Sequence, residues 1–322
     1  MANLPTQKRK TSLIVAVIKV ARPVHWIKNL SLFAAIFLAG MLDNKGQFMK
    51  VVWGFIAFGF ATSATYVIND ILDVKSDRMH PIKSSRPIAS GALPITLGFL
   101  EAVVLAGVAL FISAPLNPLF FLLVISYLVL QLFYSLGLKN IAILDILIIA
   151  TGFVIRVYAG AFVINAHLSV WFLLCVISVA LFLASGKRRA ELNLIANTGD
   201  VTRKSLSNYK RELLNSYVTM FGNASWMSWA LFTFFESPKA TLPFWLVLAE
   251  LSKTTTVDKL LMSTIPVVIF GIMRYESLIF EEKSEAPEKL LLTDPGLIIA
   301  VALWIFLVFW VLYSGVSVTG SV

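Results

Sequence analysis

Charged residues and cysteines are scarce in this sequence. Only 14% of the 322 residues are Asp, Glu, Lys or Arg, and the chain has a single cysteine, Cys175. One cysteine excludes a disulfide framework and a thiolate metal site within the chain. Soluble domains carry about 25% charged residues, whereas this chain combines few charges with 58% hydrophobic residues and a mean hydropathy of +0.83. The composition predicts an all-α, polytopic membrane protein.

Acidic residues are fewer than basic ones, which gives a net charge of +9. In a membrane chain this excess is typical of cytoplasmic loops rich in Lys and Arg, and a phosphate-rich ligand is the other interpretation. We expect no nucleic acid partner. The histidines His25, His80 and His167 lack the spacing of a metal site, and we interpret His25 and His80 as structural.

Nine apolar segments approach or exceed the roughly 20 residues that a helix needs to cross a bilayer. They are residues 28–42, 50–70, 93–114, 117–137, 141–163, 168–186, 214–236, 258–275 and 296–316. With nine spans, every basic loop falls on one side, which must be the cytoplasm. We therefore predict a multi-pass protein of the inner or plasma membrane, with a cytoplasmic N-terminus and active site and an external C-terminus.

No linker rich in Pro, Gly or Ser divides the chain, so we predict one integral membrane domain over residues 1–322. Residues 1–27 form a basic, interfacial segment on the cytoplasmic side. Residues 71–92 and 187–213 are the expected cytoplasmic active-site loops. Residues 242–251 are apolar but too short to span, which favours an interfacial or re-entrant segment.

Three aspartates follow the second apolar segment in helical register. Asp70, Asp73 and Asp77 are spaced by three and then four residues, which places them within about 60° on one helix face. Carboxylates this close repel one another unless a cation lies between them. Their oxygens, with Asn69 beside them, are ligands typical of Mg²⁺, which completes its coordination with water and substrate phosphates. We predict a magnesium site here; the alternative is a helix that simply ends in a solvated, charged loop.

The next loop carries two basic residues between two prolines. Pro81 and Pro87 disfavour a continuous helix, so we expect Lys83 and Arg86 to be held near the carboxylates. Acids that hold a metal beside bases that hold phosphate oxygens are typical of a metal–diphosphate site. As isolated residues, the two bases would be ordinary charges of a cytoplasmic loop.

The fifth apolar segment contains two ionisable residues. Asp145, Gly152 and Arg156 are separated by seven and four residues and share one helix face. Asp145 and Arg156 lie roughly 16 Å apart along the axis, so each must meet a different partner. Ionisable groups inside a span indicate function, with Gly152 opening space for a ligand; the alternative is a purely structural ion pair of Arg156 with another helix.

At this point the sequence resembles the UbiA-type intramembrane prenyltransferase superfamily. Residues 69–77 read NDILDVKSD and match the first aspartate-rich motif of that family, NDxxDxxxD. More narrowly, the chain is similar to the decaprenyl-phosphate phosphoribosyltransferase branch. That similarity is carried by Arg22–Asn29, Tyr134–Lys139, Leu144–Asp145, Gly152–Arg156 and Ser185–Leu192.

The chain departs from the standard aromatic prenyltransferases at the end of the sixth span. Those enzymes have a second aspartate-rich motif there, whereas this chain has Lys187, Arg188 and Arg189 with one acid, Glu191. The departure favours a donor with an additional phosphate, such as phosphoribosyl pyrophosphate. The resemblance implies Mg²⁺-dependent transfer of 5-phosphoribosyl to a decaprenyl-like polyprenyl phosphate, with release of pyrophosphate, for cell-envelope polysaccharide precursors that supply arabinose.

The resemblance also implies roles for individual residues. Asp70, Asp73 and Asp77 are the expected catalytic and metal-binding aspartates, with Asn69 as a further ligand. The expected phosphate- or substrate-binding residues are Lys28, Lys83, Arg86, Tyr134, Lys139, Asp145, Arg156, Lys187, Arg188 and Glu191. Tyr134 is equally interpreted as an interfacial tyrosine.

Two other functions compete with phosphoribosyl transfer. One is transfer of a polyprenyl group from its diphosphate to an aromatic or other acceptor, against which the missing second aspartate motif argues. The other is transport, which typically uses sites near the bilayer midplane and repeated halves; here the charges crowd the cytoplasmic ends. Association into homo-oligomers stays open.

Overall fold

A computed structural model of the protein describes residues 12–198, 204–236, 255–281, 290 and 293–313. Within these ranges the regular structure is entirely helical. The α-helices are α1 (Leu13–Ala21), α2 (Phe33–Leu38), α3 (Lys45–Leu72), α4 (Val74–Met79), α5 (Ile95–Ser113), α6 (Pro118–Leu136), α7 (Leu144–Val163), α8 (Val170–Thr198), α9 (Arg211–Phe235), α10 (Ile265–Phe280) and α11 (Pro295–Tyr313). Short 3-10 helices cover Pro23–Leu32, Lys83–Ser85, Leu138–Asn140, Lys204–Asn208 and Thr255–Thr264.

Seven helical segments of the described chain are long and apolar enough to cross a membrane. They are Lys45–Leu72, Ile95–Ser113, Pro118–Leu136, Leu144–Val163, Val170–Asn193, Leu260–Phe280 and Pro295–Tyr313. The all-α membrane architecture is therefore confirmed, whereas the count of nine spans is not. The first expected span divides into a 3-10 helix and the six-residue α2, and α9, which matches the seventh, interrupts its apolar sequence with polar residues such as Asn215 and Asn223.

The helices form two compact units. The first comprises residues up to Leu30 together with Val52–Leu136, and the second comprises Ser31–Val51 and residues from Gly137 onward. The expectation of one integral membrane domain stays a prediction. Residues 242–251 lie outside the described residues, as do residues 1–11 of the N-terminal segment and 199–203 of the second loop.

In the first unit, the chain turns sharply after α1 and packs against α3. Buried Ala16 and Val20 of α1 contact a cluster that includes Val67 of α3 and Ala102 of α5. The following segment approaches α3 so closely that a Cβ on Gly59 would lie 2.6 Å from the Trp26 ring. Only glycine permits this approach, which fixes where the chain beyond α1 lies on α3.

In the second unit, α7, α8 and α9 pack side by side around apolar clusters. Phe172 and Val176 of α8 contact Trp229 and Phe232 of α9 in one of these clusters. The 3-10 helix that ends at Leu32 lies directly on α7: a Cβ on Gly160 would be 1.9 Å from the Leu32 carbonyl oxygen. This packing leaves the polar ends of α7 and α8 to form the cluster described below.

Candidate active site

The predicted aspartates lie at the junction of α3 and α4 in the first unit. Asp73 separates the two helices, with φ −88° and ψ 2°. Helical hydrogen bonding nevertheless continues across it, because the Asp73 amide donates to the Asn69 carbonyl at 2.9 Å and the Asp77 amide to the Asp73 carbonyl at 2.8 Å. The register expected from the spacing is therefore kept through the break.

Asp70 and Asp77 are brought together by one guanidinium group. Arg86 Nη1 donates to Asp77 Oδ2 at 2.6 Å and to Asp70 Oδ1 at 3.2 Å. Asp70 and Asp77 are buried, with side chains 1% and 5% exposed. One oxygen from each carboxylate thus contacts a single cationic nitrogen. The sequence predicted that Arg86 lies near the carboxylates, but not that one nitrogen joins two of them.

Arg22 completes the charge balance around Asp70. Its Nη2 donates to both carboxylate oxygens, at 2.5 and 2.7 Å. Its guanidinium also lies over the Tyr66 ring, 5.0 Å from the centroid. Arg22 occupies the left-handed region, with φ +49°, where its amide closes the end of α1 on the Lys19 carbonyl. This turn directs the side chain onto α3.

Asp73 has a different neighbour. Asn69 Nδ2 donates to Asp73 Oδ2 at 3.0 Å, one helical turn back. Among the described residues, no three His, Cys, Asp or Glu side chains converge into a metal-binding group. The structure therefore brings together two of the three predicted aspartates and gives the third an amide partner.

The loop that carries Lys83 and Arg86 is folded by local hydrogen bonds. His80 Nδ1 accepts from the amides of Ile82 at 3.1 Å and Lys83 at 3.3 Å, which starts the 3-10 helix Lys83–Ser85. His80 is thus structural in this arrangement. Lys83 is half-buried beside the arginine that contacts the aspartates.

The second unit contains a buried polar cluster at Asp145. Its carboxylate pairs with Arg188 Nε at 2.5 Å, and both side chains are fully buried. Tyr209 donates to Asp145 Oδ1 at 2.6 Å and Ser205 donates to Oδ2 at 3.2 Å. Arg188 also pairs with Glu191 on the same face of α8. The predicted residues Asp145, Arg188 and Glu191 therefore form one ion-pair network.

Tyr209 links this network to the backbone before α7. Its hydroxyl accepts a hydrogen bond from the Ile143 amide at 2.5 Å, at a residue held at φ +71°. A β-branched residue in this region is strained, and the tyrosine supports that conformation. Burial and the hydrogen bond to Asp145 raise the pKa of Tyr209 above its usual value, so the hydroxyl stays protonated and able to donate.

Arg189 belongs to a second set of contacts on α8. Its Nε donates to Asn215 of α9 at 2.5 Å, and its Nη1 donates to Asn193. Asn193 also accepts from Arg211 at 2.9 Å and donates to the Ile279 carbonyl at 3.2 Å. Arg189 is buried, at 3% exposure. Arg189 and Asn193 together link α8, α9 and α10.

The remaining predicted residues are placed in both units. Tyr134 on α6 and Lys28 in the 3-10 helix Pro23–Leu32 are half-buried in the first unit. In the second unit, Lys139 is buried and Lys187 is half-buried. Arg156 is 8% exposed.

Arg156 donates to the Gly152 carbonyl at 2.9 Å. Asp145 and Arg156 thus have different partners, as their separation along α7 predicted. The Arg156 side chain folds back along its own helix onto the glycine that the sequence pattern paired with it.

Three residues of these clusters were not singled out by the sequence pattern. Arg22 enters the sequence analysis only as the first residue of the stretch Arg22–Asn29, with no role of its own. Ser205 and Tyr209 are separated by one helical turn, the spacing that lets both side chains reach Asp145.

A family model for the UbiA prenyltransferase family matches residues 30–249. The chain belongs to the UbiA prenyltransferase family. The decaprenyl-phosphate phosphoribosyltransferase of Corynebacterium glutamicum is 34% identical over 308 residues, which cover 94% of this chain and 88% of that protein. The enzyme of the same name from Mycolicibacterium smegmatis is 40% identical over 234 residues, or 71% of this chain and 74% of that protein. The chain is therefore a multi-pass membrane transferase.

A solved UbiA structure confirms the fold. The UbiA homologue of Archaeoglobus fulgidus, bound to DMAPP and Mg²⁺, superposes with a TM-score of 0.66 at 20% identity, covering 92% of this chain and 99% of that one. The predicted UbiA-like helical bundle is thus correct.

The α3–α4 junction fits a magnesium ion by its chemistry. Asp70 and Asp77 offer hard carboxylate oxygens, and the two already share one cationic nitrogen, so they lie within reach of a common cation. Carboxylates of this kind bind Mg²⁺ when substrate phosphates and water complete the shell. Asp73, one turn away, is the third available carboxylate.

Proposed function

We propose that the protein transfers 5-phosphoribosyl from phosphoribosyl pyrophosphate to a decaprenyl-like polyprenyl phosphate and releases pyrophosphate, with Mg²⁺. The observation that carries this proposal is the similarity to decaprenyl-phosphate phosphoribosyltransferases over 94% of the chain. The cationic end of α8 supports it, because Arg188 and Arg189 stand where a second metal motif is expected in aromatic prenyltransferases. The product would serve as a precursor of cell-envelope polysaccharide.

The reaction requires charge neutralisation more than it requires a base. The phosphate monoester of the lipid has a second pKa near 6 and is largely ionised at neutral pH. Its oxygen attacks the anomeric carbon, a C–O bond forms there, and the bond to pyrophosphate breaks with the electron pair leaving on pyrophosphate. A bound Mg²⁺ would neutralise that leaving group as a Lewis acid.

The chain's own residues would bind and orient the anions. Asp70, Asp73 and Asp77, with Asn69, would hold the metal, and a carboxylate close to the sugar would stabilise oxocarbenium-like charge. Arginine binds phosphate oxygens in pairs, which suits Arg86, Arg156 and Arg188. The other proposed phosphate or substrate ligands are Lys28, Lys83, Tyr134, Lys139, Asp145, Lys187 and Glu191.

The proposed orientation places these groups on the cytoplasmic side. The loops rich in Lys and Arg set the topology, so the N-terminus lies inside and the C-terminus outside. The water-soluble donor arrives from the cytosol, while the polyprenyl acceptor stays in the bilayer.

A transfer assay in detergent tests this function. Phosphoribosyl pyrophosphate labelled in its ribose, decaprenyl phosphate and Mg²⁺ are incubated with the full chain. We expect label to enter the organic phase, and to be lost with EDTA and in Asp73→Asn. Asp43→Asn, an exposed aspartate beyond α2, is the matched control and retains activity.

The same preparation tests the competing function. The Archaeoglobus fulgidus homologue is bound to the prenyl diphosphate DMAPP, which favours prenyl transfer as the second candidate. Absence of phosphoribosyl transfer across several polyprenyl phosphates, with a polyprenyl diphosphate consumed instead in the presence of an aromatic acceptor, would establish that reaction in its place.

A further inference from the structure

Arg22 contacts the predicted metal ligands, yet the proposed function assigns it no role. Its guanidinium donates to both oxygens of Asp70 and lies over Tyr66. The side chain is only 20% exposed, so the interaction is partly screened from water. Arg22 is also held by a left-handed turn, an unfavourable conformation for a residue other than glycine. Such strain persists where the surrounding structure fixes it, which is common at functional sites.

The two arginines contact the same oxygens that a metal would use. Arg22 contacts both oxygens of Asp70, and Arg86 Nη1 lies between Asp70 and Asp77. The two guanidinium charges balance the two carboxylate charges. Without a diphosphate, a divalent cation would bind to a group whose net charge is zero. It would also have to displace the arginines from aspartates that are buried. Breaking such pairs is costly unless each freed charge finds a new partner.

We propose that Arg22 is a positioning residue that couples metal binding to diphosphate binding. This inference rests on the proposed metal–pyrophosphate site. Arg22 and Arg86 together hold Asp70 and Asp77 in place, and their guanidinium groups compete with the metal for the carboxylate oxygens. A diphosphate group supplies the oxygens that accept the displaced guanidinium groups, since arginine pairs well with phosphate. Metal and diphosphate therefore bind cooperatively, and each raises the affinity for the other by the same factor.

Manganese binding measured by electron paramagnetic resonance tests this coupling. Mn²⁺ is titrated into the purified full chain in detergent, with and without inorganic pyrophosphate. In the natural protein we expect weak Mn²⁺ binding that tightens about tenfold or more with pyrophosphate, after correction for Mn²⁺–pyrophosphate in solution. In Arg22→Gln we expect tighter Mn²⁺ binding without pyrophosphate and a smaller effect of adding it.

Arg78→Gln is the matched control. Arg78 lies on α4, next to Asp77, and is exposed, and its Nε donates to the Ala89 carbonyl at 3.2 Å. Its loss removes one positive charge without removing the Arg22 and Arg86 ion pairs. An equal gain in Mn²⁺ affinity in both variants would show a general charge effect and overturn the proposal. Unchanged or weaker Mn²⁺ binding in Arg22→Gln would overturn it too.

Arg22→Lys keeps the test decisive if Arg22→Gln does not fold. Lysine keeps the charge but lacks the planar fork of arginine, so its Mn²⁺ affinity should exceed that of the natural protein by a smaller factor. If Arg22→Lys is the only variant that folds, an Mn²⁺ affinity equal to or lower than that of the natural protein would contradict the proposal. None of these titrations contains a phosphoribosyl donor or a lipid, so failure of the transfer assay and failure of the coupling are separate results.

Discussion

At the scale of single residues, Asp145 shows how a charge is accommodated inside this protein. One buried carboxylate forms an ion pair with Arg188 and accepts hydrogen bonds from Tyr209 and Ser205, and its Oδ1 also accepts from the Ile146 amide at 2.9 Å. An ionised group away from water is tolerated only when it is paired and hydrogen-bonded in this way. Arg188 is thereby held in one orientation, which is a precondition for binding a phosphate.

Tyr209→Phe tests this network. The substitution removes a hydroxyl that donates to Asp145 and accepts from Ile143. We expect destabilisation of about 1–3 kcal/mol, because a hydrogen bond to a charged group is lost and a buried amide loses its acceptor. The measurement is thermal unfolding of the purified protein in detergent. Tyr217→Phe, in the second turn of α9 and packed against Phe221, should change stability little.

The same pair of proteins gives a prediction for pH. Because the pKa of Tyr209 is raised, its hydroxyl remains protonated as pH rises toward the usual tyrosine pKa of about 10. The stability difference between the natural protein and Tyr209→Phe should therefore be constant from about pH 6 to 9 and decline only at higher pH. A difference that disappears near neutral pH would contradict the donor role of Tyr209.

Sequence reasoning reached the aspartates and placed Arg86 near them, but it did not identify Arg22 or Tyr209 as their partners. The spacing of Asp70 and Asp77 sets their common face, because helical periodicity is local and is written in the sequence. Arg22 and Tyr209 are 48 and 64 residues from the carboxylates they contact. No local pattern encodes such pairs, since they depend on which helices pack together.

At the scale of elements, close helix contacts depend on glycine. Gly160 allows α7 to lie against the carbonyl of Leu32, and Gly59 allows the indole of Trp26 to lie against α3. The sequence predicted most helix bounds to within a few residues, because apolar runs of bilayer length are a strong signal. It did not predict that residues 28–42 divide into two short helices, because their apolar content alone does not distinguish one span from a broken one.

Gly160→Ala tests the first of these contacts. A Cβ placed 1.9 Å from the Leu32 oxygen cannot be accommodated without moving backbone, so we expect a loss of about 1–3 kcal/mol or more. The measurement is the fraction of monodisperse protein after heating in detergent. Gly107→Ala on α5 has open space at the new Cβ and should be neutral or slightly stabilising, because alanine favours helix. Equal behaviour of the two variants would show that the contact is not tight.

At the scale of the whole molecule, the alternation of basic loops predicts which ends of the helices face the cytoplasm. The described structure supports seven spans, while residues 237–254 lie outside it. The side of the membrane on which each loop lies depends on insertion, which follows the charges of the loops. The orientation in the membrane is therefore predicted from the loop charges in the sequence, whereas the side-chain clusters at Asp70 and Asp145 are identified from helix packing.

Cysteine labelling tests the orientation. The one natural cysteine, Cys175, is buried. Labelling of the natural protein therefore measures the background reaction of the maleimide. Ser90→Cys, in the exposed part of the basic loop before α5, should react with an impermeant maleimide only after the membrane is opened. Ala114→Cys, exposed at the other end of α5, should react in intact cells. The reverse pattern would place the proposed active site outside the cell.

The helix α8 is longer than the hydrocarbon core of a bilayer is thick. Its 29 residues extend about 43 Å at 1.5 Å per residue, whereas a typical hydrocarbon core is about 30 Å thick. A helix of this length carries its final turns beyond the acyl chains, at the depth where lipid headgroups lie. Arg188 and Arg189 lie 18 and 19 residues from the start of α8, about 27–29 Å along its axis, so an upright α8 that begins at one face of the hydrocarbon core carries both arginines to the opposite face and its last nine residues past it.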